Sequence, residues 1–278
     1  APARVSHGAT MVFPGQLFDS EETLKSVEAE GCTALHGVPT MFITELDHPR
    51  FSEFDSSTLR TGIMAGAPMS CRGDETAMHM EDILSAYGQT ELSPINNMTL
   101  PNDTLERRTE TVGPAMPWIE TKVVDEEGRV VPVSEKGEIC TRGYSVMQGY
   151  WNDEERTAET IDSAGWLHSG DIATMDEAGY VRIVGRIKDM IIRGGENIYP
   201  REVEEFLYQH PAISEVQVFG VPDEKMGDMV CAWIQLNEGC DLSDEDVKAC
   251  CRDQITYFKI PRHIRFVTEY PMTMTGKI

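Results

Sequence analysis

Gly165-Trp166-Leu167-His168-Ser169-Gly170-Asp171 is followed by Val184-Gly185-Arg186-Ile187-Lys188-Asp189 and then by Arg193-Gly194-Gly195-Glu196-Asn197-Ile198-Tyr199-Pro200. These stretches read as strand and turn in alternation, and they set a carboxylate (Asp171), a guanidinium (Arg186) and a glycine pair (Gly194-Gly195) on one short run. A carboxylate can accept from both hydroxyls of a vicinal diol, and a nearby guanidinium adds donors without titrating. Paired glycines permit positive φ and leave room for a thin ligand beside the backbone. Taken singly, a turn aspartate, an exposed arginine and a strand-to-helix turn are all ordinary. Their order along one run is what gives them weight.

Working outward from that run, residues 111 to 184 carry antiparallel signals: Ile119 to Val124, Gly137 to Gly143 and Tyr180 to Val184 read as strands. Glu126-Glu127-Gly128 and Glu177-Ala178-Gly179 supply the turns. Upstream, Ser20 is placed to cap a helix over Glu21 to Glu30 that ends at Gly31, and a short strand follows over Thr33 to Val38. A helix over Met41 to Leu46 and an apolar strand from Thr61 into Gly66-Ala67-Pro68 continue the alternation of a layered α/β domain. Past Lys188 the pattern resets. Pro200 opens a helix with an apolar stripe at Val203, Phe206 and Leu207, running to His210. Strands are expected at Val216 to Phe219, Val230 to Ile234 and Ile264 to Val267, with a Ser243/Asp246 capping box starting a helix through about Gln254. The boundary falls near residue 188, giving units 1–187 and 188–278.

The 278 residues suffice for one large or two smaller cores. Twenty-four basic against 47 acidic side chains give a formal charge of -23, which argues against a nucleic-acid backbone or an anionic membrane as the partner. Seven cysteines without a C-x-x-C pair read as reduced thiols of an intracellular protein, and no metal motif is claimed from their spacing. No apolar run approaches the roughly 18 residues of a transmembrane segment. The chain lacks an initiator Met and stops just after Gly276-Lys277-Ile278, so it reads as an internal piece of a longer protein.

With Tyr87-Gly88-Gln89-Thr90-Glu91 upstream and Pro271 to Ile278 closing the chain on Thr275-Gly276-Lys277, the ordered set of motifs resembles the adenylate-forming (AMP-binding) enzymes. Within them it looks most like the acyl-CoA synthetases, particularly the medium-chain type, through Met147-Gln148-Gly149-Tyr150-Trp151 and Arg186 to Pro200. The resemblance implies a mixed α/β and α+β fold: the C-terminal part of a layered α/β adenylation domain with a β-rich subdomain, then a small mobile α+β domain. It implies that a carboxylic acid, ATP and coenzyme A are the small-molecule partners, with Mg2+, in the cytoplasm or the mitochondrial matrix. Asp171 would grip the ribose hydroxyls with Arg186 assisting; Tyr87 would stack on adenine, Gly88 would let the backbone approach the nucleotide, and Gly66, Ala67 and Pro68 would form the opposite wall. Thr90 would bond the α-phosphate, Glu91 would hold the metal, and Lys277 would neutralise charge at the attacked phosphorus. Gly194 and Gly195 would line the path of coenzyme A, and Lys188 would be the hinge.

The sequence also departs from that family. Its glycine-, serine- and threonine-rich phosphate loop has no counterpart in these residues, nor does a Walker-type or dinucleotide motif replace it. Residues Met69 to Ala77 are charged where relatives carry an amphipathic helix. The chain alone is therefore expected to be inactive. An aryl- or amino-acid-activating relative and a noncatalytic nucleotide-binding fragment stay open beside the fatty-acid reading.

Overall fold

The computed structural model of the chain describes residues 7–66 and 78–271. Three sheets follow one another along it. The first is built from β1 (Ala34–Gly37), β2 (Thr61–Ala65), β3 (Asp82–Tyr87) and the short β4 (Asn97–Met98), in that order. β1, β2 and β3 run parallel and β4 antiparallel. β3 was not foreseen as a strand. Its Ile83, Leu84, Ser85 and Ala86 are all buried, the burial on both faces expected of a central parallel strand. Helices α1 (Ser20–Glu30) and α2 (Pro39–Leu46) supply Leu24, Val27 and Phe42 to a core shared with Leu59, Met64, Met78, Met80 and Ile83.

The cap of α1 is Asp19 rather than Ser20. Its extended backbone lets its carboxylate accept from Glu22 N at 2.9 Å, and Ser20 becomes the first helical residue. Gly31, in the left-handed conformation, closes the helix as expected.

The second sheet is antiparallel: β5 (Ile119–Val124), β6 (Gly137–Gly143), β7 (Leu167–Met175) and β8 (Val181–Arg186). β8 runs two residues past the expected Val184, which carries Arg186 into register opposite Asp171. Two short helices, α3 (Leu105–Glu110) and α4 (Glu154–Thr160), flank it and were not anticipated. A buried polar seam ties the two sheets together. Asn96 donates to Asn97 and to Thr141 of β6, Asn97 donates to Gly113 O, and Thr99 bonds Ser85 of β3. That seam ties β3 and β4 to β6.

The third sheet orders β10 (Glu196–Ile198), β9 (Ile191–Arg193), β12 (Gly227–Leu236) and β11 (Ile213–Asp223), with β13 (His263–Phe266) parallel to β12. Its core packs Val203 and Leu207 of α5 (Pro200–Leu207) and Val247 and Cys251 of α6 (Asp244–Cys251) against Ile191, Val216, Val218, Val230 and Ile234. The Ser243/Asp246 capping box is formed. Both helices are shorter than expected. After Leu207 the chain tightens into i→i−3 bonds, His210 N to Leu207 O at 3.0 Å among them. After Cys251, Asp253 adopts a φ of 61°, which no helix continues. Among the described residues no helix is long and apolar enough to cross a membrane, and the six described cysteines are free thiols.

Candidate functional site

β2 and β3 end side by side, with Ala65 in register with Ala86, so Gly66 and Tyr87 leave the same edge of the parallel sheet. In open α/β sheets ligands bind outside the carboxyl ends of the strands. Gly66 turns away with a φ of 88°. At that edge β7 brings up Asp171, only 7% exposed. Its Oδ2 accepts from the Tyr87 hydroxyl at 2.6 Å and from Gln89 Nε2 at 2.9 Å. Oδ1 faces Arg186 Nε at 3.6 Å, and the Arg186 side chain is 57% exposed. Ser169 braces the backbone beneath, accepting from Asp171 N at 3.0 Å while donating to Ile139 O at 2.6 Å. Gln89 also donates to Ser169 O at 2.9 Å. Burial, then the charge and hydrogen bond of Asp171, push the Tyr87 hydroxyl far above the ordinary tyrosine range, so it stays a neutral donor.

The structure thus brings Tyr87, Asp171 and Arg186 together, as the sequence suggested, and adds Gln89. Gln89 sits inside the quoted motif, but an amide there carries no signal of its own. Oδ2 already has two donors, so Oδ1, beside the exposed Arg186 guanidinium, is the oxygen left to receive a new one. At Gly88 the reason for glycine is internal: a Cβ there would overlap the Pro94 carbonyl oxygen. The room beside Gly88 is therefore taken by the chain itself.

Thr90 and Glu91 form a short 3-10 turn, Thr90–Leu92, anchored by the fully buried Leu92. Thr90 is exposed. Glu91 is half-buried and doubly held: its carbonyl accepts from Met147 N at 2.8 Å and its Oε1 from the Tyr150 hydroxyl at 2.9 Å. Tyr150 is in turn stacked under Arg156 at 4.2 Å, so the Met147 to Trp151 stretch positions the Glu91 carboxylate.

Gly194 and Gly195 are the two-residue turn between β9 and β10, with φ of 60° and 87°, as a hairpin turn with both central residues at positive φ requires. Gly194 N donates to Met226 O at 2.7 Å, whereas the space at Gly195 is open. Lys188 lies exposed in the 3-10 turn Ile187–Asp189 that links β8 to β9. Among the described residues no hydrogen bond or ion pair joins Lys188, Gly194 or Gly195 to the Tyr87–Asp171 cluster. Ala67, Pro68 and Lys277 lie outside the described residues.

Two family models match the chain: "AMP-binding enzyme" over residues 3–151 and "AMP-binding enzyme C-terminal domain" over 202–277. The chain is 55% identical over 281 residues to the "Putative acyl-CoA synthetase YngI" of Bacillus subtilis (strain 168), covering 99% of this chain and 51% of that protein. It is 46% identical to the mitochondrial medium-chain acyl-CoA ligase ACSF2 of Rattus norvegicus, covering 99% of this chain and 45% of that one. The chain therefore spans about half the length of these curated relatives. Among solved structures, the anthranilate CoA ligase AuaEII in complex with anthranoyl-AMP superposes with a TM-score of 0.84 at 32% identity, over 96% of this chain and 52% of that one.

Proposed function

The chain belongs to the AMP-binding enzyme family, and from that premise we propose that it forms part of an acyl-CoA synthetase. The reaction is carboxylate plus ATP to acyl-adenylate and diphosphate, then transfer of the acyl group to coenzyme A with release of AMP. The observation that carries this reading is the buried Asp171, one oxygen fixed by Tyr87 and Gln89 and the other facing Arg186, at the carboxyl edge of the parallel strands.

In this reading a ribose hydroxyl donates to Asp171 Oδ1 while Arg186, exposed enough to swing, donates to the nucleotide from the side. The tether to Asp171 fixes the Tyr87 ring, whose face is then available to adenine, with Gly66, Ala67 and Pro68 opposite. Thr90 offers a surface hydroxyl to the α-phosphate. The Glu91 carboxylate, held in place by Tyr150, suits Mg2+, which takes one or two carboxylates together with substrate phosphates. Once bound, the ion supplies charge neutralisation to the triphosphate. Lys277 adds a compact ammonium at the attacked phosphate.

The unit from 188 onward is read as a domain that reorients about Lys188, and the open turn at Gly195 as the wall of the coenzyme A path. The acid is read as a fatty acid of medium chain length, following the name of the rat relative, and the compartment as cytoplasm or mitochondrial matrix. AuaEII, named for anthranilate, keeps an aryl acid as the second reading.

The test is calorimetric titration of the 278-residue chain with a non-hydrolysable acyl-adenylate analogue. Asp171→Ala removes charge-assisted hydrogen bonds worth roughly 1.5–3 kcal/mol each, so affinity should fall at least about tenfold with the fold retained by circular dichroism. An unchanged affinity removes Asp171 from the nucleotide site and the proposal with it.

A further inference from the structure

β6 and β7 place a second cluster three residues upstream of Asp171. Glu138 and Cys140 alternate on one face of β6, and His168 of β7 lies directly opposite Cys140. The sulfur of Cys140, a carboxylate oxygen of Glu138 and a ring nitrogen of His168 all lie within 4.8 Å of one another. We propose that Glu138, Cys140 and His168 form a binding site for a zinc-class divalent ion, beside the nucleotide cluster and separate from Glu91.

The distances support this choice of ion. Zinc bonds of about 2.3 Å to sulfur and about 2.05 Å to nitrogen, set at a tetrahedral angle, put those two atoms about 3.6 Å apart. Cys140 Sγ and His168 Nδ1 are 3.5 Å apart. Glu138 Oε2 lies 2.7 Å from the same nitrogen, a hydrogen-bond distance that opens by about 0.7 Å when a metal replaces the shared hydrogen. The other Glu138 oxygen is braced by Gly170 N at 2.8 Å, so the carboxylate is oriented before any ion arrives.

A fourth position is open to solvent on the side of His168, whose side chain is 32% exposed against 18% for Glu138. Asp162 Oδ2 stands 4.0 Å from His168 Nε2, on the side where metal-bound histidines usually find a carboxylate. On binding, the Cys140 thiol loses its proton to solvent and His168 takes the tautomer with its hydrogen on Nε2, toward Asp162. The nearby cation, Lys122, is drawn onto the face of Trp166 at 4.3 Å. A thiolate and an imidazole select zinc, cobalt or copper over magnesium.

The test titrates chelator-stripped chain with Co2+. A thiolate-to-cobalt charge-transfer band should grow to one ion per chain, be abolished by Zn2+ and be unaffected by excess Mg2+. Cys140→Ser should remove the band, and His168→Asn, at a partly exposed position, should weaken binding at least about tenfold with the fold intact. Absence of the band in the parent chain, its survival in Cys140→Ser, or an unchanged affinity in His168→Asn would each overturn the site.

Discussion

Glu45 in the last turn of α2 is 2% exposed, and its Oε2 meets no donor. Burial pushes its carboxyl up from the ordinary 4.5 to about 8. Glu204 follows the same direction, to about 7, again by burial first, although Val218 N donates to it and Arg201 lies near. A carboxyl whose folded pKa is raised holds its proton in the native state after the unfolded chain has released its own. Its contribution to stability is therefore present at low pH and lost as pH rises from 4.5 to about 8. Glu45→Gln keeps the shape and removes the titration, so it should stabilise the chain above neutrality and flatten, though not abolish, the decline across that window, because Glu204 remains. Urea midpoints measured at several pH values would show this; an unchanged slope would mean that Glu45 is ionised in the fold. At this scale the sequence was uneven. The pairing of Asp171 with Arg186 was legible because their motifs follow one another along one short run, although each residue alone is ordinary. Gln89 was not, since its role depends on β7 arriving beside it. Nor was the Glu138–Cys140–His168 grouping, where 28 residues separate the cysteine from the histidine and only strand register unites them.

Register is also what the elements decide. β7 and β8 pair so that Asp171 faces Arg186, with a bulge between Ile172 and Ala173 that no local pattern announces. The Ser243/Asp246 box was legible because capping is local chemistry, but the cap of α1 falls one residue earlier than expected, and α3 and α4, capped by Thr104 and Asp153, carried too little apolar pattern to be read. α5 and α6 end earlier than expected because the chain tightens after Leu207 and takes a positive φ at Asp253, and the polar residues there, Gln209-His210 and Arg252-Asp253, announce neither change. β3 was overlooked because Ser85 interrupts its apolar run; in the fold that residue is buried in the central strand, with its backbone N–H satisfied by Thr99. The glycine hairpin between β9 and β10 was legible as a turn, and the structure separates its two members. A Cβ at Gly194 would press on the end of the Met226 side chain, while one at Gly195 meets nothing within 4 Å. Both carry positive φ, which costs an L-residue roughly 1–2 kcal/mol. Gly195→Ala should therefore lose only about that conformational cost, and Gly194→Ala more, by denaturant unfolding. Under the proposed function, Gly195→Trp should also weaken coenzyme A binding and leave affinity for the adenylate analogue unchanged. Equal loss of both ligands would place the turn outside the coenzyme A path.

Across the whole molecule the unit beyond Lys188 is held to the second sheet by charge as well as by chain. Lys136, ahead of β6, pairs with Glu202 of α5 and lies 4.7 Å over the Tyr199 ring. Glu202 also takes Lys259 at 2.6 Å, and against the cost of burial the two lysines hold its carboxyl below the usual range. Arg182 of β8 reaches Glu205 of α5 at 2.8 Å, and Arg201 donates to Ile183 O at 2.5 Å. The sequence placed the boundary near 188 from the change of pattern, but it could not show these contacts, which join residues 18 to 66 positions apart. Lys136–Glu202, Arg182–Glu205 and Arg201–Ile183 O join residues before the exposed 3-10 turn that carries Lys188 to residues after it, so under the proposed function a domain that reorients about that turn must break them. Each partly exposed pair contributes roughly 0.2–1 kcal/mol. Removing two, in Lys136→Met/Arg182→Met, should raise the population of the opened form about two- to thirtyfold. Limited trypsin cleavage after Lys188 reads that population, since the closed turn is short and backed by β7. Cleavage there should speed up by that factor, and added salt should quicken the parent chain more than the double variant, because only the parent has these pairs to screen. Equal cleavage rates in the two proteins would mean that packing of α5 on β8, and not the ion pairs, holds the units together.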